Sequence, residues 1–174
     1  MTFLNRIFGD RKERGAMQPL YDEIVAAARD PWWYREGEVP DTIDGRFDMV
    51  SSILALVLLR MEREGGEARR SEVLLTEVFI DDMDGTVRQL GIGDQVVGKH
   101  VGRMMGALGG RLGAYRDAGE DETALGEAVK RNIFRDAPPS DEAVAAVSAR
   151  LIRFRSVLDR VPFADLLAGK LPQA

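Results

Sequence analysis

The sequence contains no cysteine and a single histidine, His100. The first absence excludes disulfides, thiolate catalysis and cysteine-ligated metals. One histidine without cysteine cannot build the usual zinc sites, and no Glu-x-x-His pair supports a carboxylate-rich metal site. A cysteine-free chain also fits a reducing compartment. Long apolar runs are missing too. The most apolar stretch, Met49 to Met61, is broken by Ser51, Ser52 and Arg60. It falls short of the roughly 20 residues that cross a bilayer. The N-terminus is no secretory signal, because its basic cluster follows its apolar residues instead of preceding them. An excess of positive charge is absent as well. The net charge is −5, so charge-driven nucleic-acid binding and specific DNA contact are not expected. The chain is expected in the cytoplasm, meeting a membrane only peripherally, at its surface.

Strand signals are also lacking, and what is there is helical spacing. With 174 residues, 45% of them hydrophobic, the chain suits one compact all-α domain of about six to seven helices. The expected division is a mobile or amphipathic basic tail over 1–15 and a helical domain over 16–174. Met17, Leu20, Tyr21, Ile24 and Ala28 share one face of a first helix, which Pro31 is expected to end. Trp32, Trp33 and Tyr34 then form an aromatic loop. A second helix from about Asp44 to Glu64 is apolar nearly all round, the mark of a buried central helix. Further helices are expected over about 71–90, 94–116, 122–134 and from Ser140, a good N-cap, to Pro162. A short element over 163–171 follows.

Two motifs suggest chemistry and fail at specific positions. Gly93 to Lys99 has the spacing of a phosphate-binding loop. That loop needs a strand before it and Ser or Thr after the lysine, whereas here His100 follows and Asp94 would repel phosphate. Asp94 is expected instead as a helix N-cap. Asp81-Asp82-Met83-Asp84-Gly85 hints at a calcium loop, but that register puts Ile80 and Gly91 where carboxylates are required. No catalytic residue, metal or cofactor emerges.

The fourth long helix holds Gly98, Gly102, Gly106, Gly109, Gly110 and Gly113. Glycine costs a helix roughly 1 kcal/mol each relative to alanine. Something should offset this: tight packing against another helix of the domain, or a shallow groove for a partner's helix. Lys99, Arg103 and Arg111 are expected on its other faces, free for an acidic partner. The aromatic loop is expected to be partly buried. Phe3, Leu4, Ile7 and Phe8 with Arg11, Lys12 and Arg14 make residues 1–14 an amphipathic segment suited to weak membrane-surface contact. Arg150, Arg153, Arg155 and Arg160 form a basic surface suited to ribosomal RNA.

Several stretches, taken in order, carry a family resemblance. They are Leu20 to Val25, Val39 to Met49 with its Asp-Thr-x-Asp-Gly-Arg-Phe-Asp block, Phe79 to Asp84, Arg88 to Asp94, Val97 to Lys99, and Gly110 to Tyr115. Over about residues 18 to 135 the chain resembles the ubiquinol–cytochrome c chaperone family and looks like a bacterial relative. The resemblance implies a helical, non-enzymatic chaperone that binds newly made cytochrome b during biogenesis of respiratory complex III. Mitochondrial members work with a small partner near the ribosome, which makes ribosome contact a further expectation. The expected client-binding residues are Trp32, Trp33, Tyr34, Asp44, Arg46, Asp48, Asp82, Asp94, Gly98, Lys99, Gly102, Arg103, Met105, Gly106, Gly109 and Gly113. A ribosome- or membrane-surface adaptor, and behind it a nucleotide-binding enzyme at Gly93 to Lys99, are the alternatives.

Overall fold

A computed structural model describes residues 3–89, 94–134 and 138–173, with side chains from residue 13 onward except those of 94–96. Among the described residues every regular element is helical. The elements are α1 (Phe3–Ala28), α2 (Pro31–Arg35), α3 (Ile43–Glu62), α4 (Arg69–Gln89), α5 (Asp94–Ala118), α6 (Glu122–Ile133), α7 (Asp141–Leu158) and α8 (Phe163–Leu167). Six of these are long and two are single turns, which agrees with the all-α expectation.

The centre of the molecule is α3. From Phe47 to Leu58 every residue is buried, and α1, α4, α5, α6 and α7 all pack against it. A helix apolar on every side has no stable place except inside such a ring. Thr42 starts α3 by accepting from the N–H of Gly45 at 3.1 Å. Gly45 is required there, because a Cβ would lie 1.9 Å from the Pro40 carbonyl oxygen. The five expected apolar positions of α1, Met17 through Ala28, are all buried. The helix itself begins much earlier, so the 15/16 boundary falls inside α1, which carries Pro19 in its interior.

The aromatic loop is corrected to a helix. Asp30 caps α2 by accepting from the N–H of Trp32 at 2.9 Å, and Pro31 occupies the first turn. α1 stops at Ala28, just short of Pro31, as expected; but proline lacks only an N–H that a first turn leaves unbonded anyway, so Pro31 also begins a helix.

Glu38 ties the α2–α3 connection to the start of α7. Its carboxylate accepts from the Ser140 N–H at 3.0 Å and from the Ser140 hydroxyl at 2.9 Å, while Ser140 caps α7 through Ala143 N–H. These bonds hold Glu38 at a φ of 54°, a conformation that costs a non-glycine residue energy. The Ser140 backbone N–H, and then its hydroxyl, hold the Glu38 carboxyl below its ordinary value. A depressed pKa stabilises the fold above the unfolded-state value and loses that contribution as pH falls through the folded value. By NMR titration, Glu38 is therefore expected to titrate below the usual glutamate range, and Glu38→Gln to flatten the acid limb of stability. A Glu38 midpoint at the ordinary glutamate value would contradict this tie.

Candidate functional site

The N-terminal half of α5 is built differently from its C-terminal half. Leu108, Arg111, Tyr115 and Ala118 are buried, at successive steps of three or four residues. Between Val97 and Leu108, by contrast, no side chain is fully buried. Val87 and Val97 are buried but lie outside the main apolar cluster.

The glycines occupy the open side of this helix. A Cβ built on Gly98, Gly102, Gly106, Gly109, Gly110 or Gly113 meets nothing within 4 Å. Among the described residues nothing packs against these glycines, which overturns tight packing against a described helix as their explanation. All but Gly113 are exposed, as are Lys99 and Arg103, while Met104, Met105 and Leu112 are half-buried alongside. Arg103 lies 2.8 Å from the His100 Nδ1. Residues 94–99 are helical, so the N–H groups of Gly98 and Lys99 are committed to helix bonding and cannot cradle a phosphate. Gly93 lies outside the described residues, as does the side chain of Asp94. The Asp81–Gly85 segment lies within α4, not in an ion-binding loop.

Three of the expected partner contacts, Asp48, Arg111 and Trp33, are interior residues. Asp48 and Arg111 form an ion pair at 2.7 Å with side chains only 4% and 1% exposed. The same guanidinium donates to Ser51 Oγ and to the Asn132 carbonyl at the end of α6. One turn on, the Tyr115 hydroxyl donates to Ser52 Oγ at 3.0 Å. Arg111 is thus no free cation, and Asp48 no surface anion; together they fasten α5 to α3 and α6. Trp33 is fully buried and donates its indole N–H to the Ala27 carbonyl at 2.9 Å.

The remaining expected residues do not join the α5 face. Trp32 packs on α7, with the Arg150 guanidinium 4.4 Å from its ring. Arg150 also pairs with Asp30 at 2.6 Å, which removes it from the expected basic surface. Tyr34, half-buried, donates its hydroxyl to the Ala28 carbonyl. Asp44 and Arg46 are exposed at the start of α3, and Arg46 pairs with Asp41. Asp82 sits on a groove between α1 and α4, where it accepts from the Tyr21 hydroxyl at 2.6 Å. Burial, and then this bond to Asp82, push the Tyr21 phenol well above its usual pKa. The side chains of 3–12, on which the membrane-tail expectation rests, are outside the described set. Among the described residues no helix is long and apolar enough to cross a membrane.

Residues 35–174 match the family model described as ubiquinol-cytochrome C chaperone. The chain is also similar to a solved structure, the crystal structure of the Cbp3 homolog from Brucella abortus. Identity is 32% and the TM-score 0.81, with 99% of this chain and 97% of that chain covered. No curated protein matches it. A family match over most of the chain, with a structural match over nearly all of it, means that the chain belongs to the ubiquinol–cytochrome c chaperone family.

Proposed function

We propose that this protein is a non-enzymatic assembly chaperone that binds newly made cytochrome b during biogenesis of respiratory complex III. The client helix lies on the open glycine face of α5, and the work is done from the cytoplasm at the surface of the inner membrane. The observation that supports this is the unoccupied space over Gly98, Gly102, Gly106 and Gly109. Each glycine costs the helix about 1 kcal/mol, and nothing among the described residues uses the room they provide. A row of small residues lets the backbone of a second helix come close, which is how helices of membrane proteins pack. Met105, half-buried and next to that row on the helix surface, supplies a lining that adapts to different side chains.

A photo-crosslinking residue placed at Gly106, followed by affinity capture from membranes, is expected to recover cytochrome b. Gly102→Leu with Gly106→Leu fills the face and is expected to abolish recovery without loss of helical content. Recovery undiminished in that variant places the client elsewhere, and no recovery from the unaltered protein removes the reading altogether.

A further inference from the structure

At the C-terminal end of α1 the charge of the surface is inverted. Arg29, Arg35 and Arg46, from the ends of α1 and α2 and the start of α3, rim a groove of about 360 Å³. Its other walls are Pro31, Tyr34 and Asp41. All three arginines are exposed. Arg46 bonds Asp41 at 2.7 Å, whereas among the described residues Arg29 and Arg35 have no ion pair or side-chain hydrogen bond. Asp44 is on the same turn of α3 but outside the groove wall. Three guanidinium groups thus face one carboxylate on a chain whose net charge is −5. Burial raises the Tyr34 phenol to about 12, so it stays neutral, with its hydroxyl fixed on the Ala28 carbonyl at 2.9 Å. Beside the groove, three residues before Arg46, stands Ile43. At 53% exposure it is the most exposed large apolar side chain described.

We propose that this groove receives the phosphate of an anionic phospholipid headgroup, with Ile43 and Pro31 entering the interfacial layer. Guanidinium forks match phosphate oxygens in pairs. The volume admits one headgroup. Nucleic-acid binding needs a track of cations along many phosphates, and this surface offers three on an acidic protein. An acidic peptide would satisfy the arginines but leave Ile43 in water. A membrane surface supplies both the anion and the apolar layer. This surface is separate from the α5 face and does not depend on the client reading.

The test is cosedimentation of the intact protein with phosphatidylcholine vesicles, with and without phosphatidylglycerol. Binding is expected only with phosphatidylglycerol and should weaken as salt rises. Arg29→Gln combined with Arg35→Gln is expected to lower binding roughly 30-fold. Ile43→Ser should lower it to a smaller extent with the same salt slope. Both variants change exposed side chains, and circular dichroism checks that they fold. Absence of vesicle binding, or binding unchanged by the arginine pair, overturns the proposal. So does loss only on Arg11→Gln with Lys12→Gln, which would assign the contact to the N-terminal segment. Binding of a single-stranded RNA oligonucleotide or a polyglutamate peptide through Arg29 and Arg35, without vesicle binding, overturns it in favour of that partner. Capture of cytochrome b in detergent is expected to be unaffected by the arginine variant, so failure of one reading leaves the other standing.

Discussion

Asp48→Ala is expected to lower the free energy of unfolding by about 3–5 kcal/mol. The carboxylate it removes is the partner of a guanidinium that is itself only 1% exposed. Arg111 would keep its bonds to Ser51 and Asn132, but its charge would be left in the core without an anion. The Arg111 Nε already has no hydrogen-bond partner, so no reserve of bonding remains to absorb the loss. Replacing both residues by apolar ones of similar size, Asp48→Leu with Arg111→Met, is expected to recover most of the deficit, because burying an ion pair yields little net gain over good packing. Denaturant unfolding measures both. A cost for Asp48→Ala below about 1 kcal/mol, the range of an exposed pair, would mean that this pair is solvated. The double variant also asks what the pair is for. If its stability returns but cytochrome b capture does not, the polar fastening sets the position of α5 and not merely its stability.

Gly102→Ala, Gly106→Ala and Gly109→Ala together are expected to raise stability by about 2–3 kcal/mol, since each alanine is worth up to about 1 kcal/mol in an open helix position. For a chain of this length that corresponds to a rise in Tm of roughly 5–10 °C. The methyl groups have room, as an added Cβ at each of the three sites meets nothing within 4 Å among the described residues outside the helix's own backbone. The functional expectation runs the other way: the more stable protein should capture less cytochrome b, because three methyl groups hold a second backbone away from the face. Stability gained at the expense of function is the usual sign of a surface shaped for a partner. A variant that is stabilised and captures its client normally would show that these glycines are not the client surface.

The helices were largely legible because their periodicity is strong and their stops are explicit. The all-round apolar character of α3 announced a central helix, and Ser140 and Thr42 sit where caps belong. The pairings between helices were not legible. Asp48 and Arg111 are 63 residues apart, and no local pattern links them. A clue existed all the same. Leu108, Tyr115 and Ala118 lie on the buried face of α5, and Arg111 completes their three- and four-residue steps. An arginine on an apolar stripe signals a buried partner, but hydropathy alone assigns it to water. The glycine row was visible in the sequence, yet the side of α5 that its neighbours would cover depends on tertiary contacts. Asp30 before Pro31 is a readable helix start, because a proline fits the first turn of a helix as well as it stops the one before. The arginine groove draws on three elements separated by two turns, so nothing in linear order groups it.

The ring around α3 has a consequence for how the molecule comes into being. Its central helix is made early, but α7, one of its walls, ends at Leu158. During synthesis the chain therefore carries an incompletely covered apolar helix for close to a hundred residues of elongation. Partly made chains of this kind expose surface that aggregates. The nascent protein thus faces the same hazard as the membrane helices it is proposed to guard, and it escapes only when its own C-terminal third arrives.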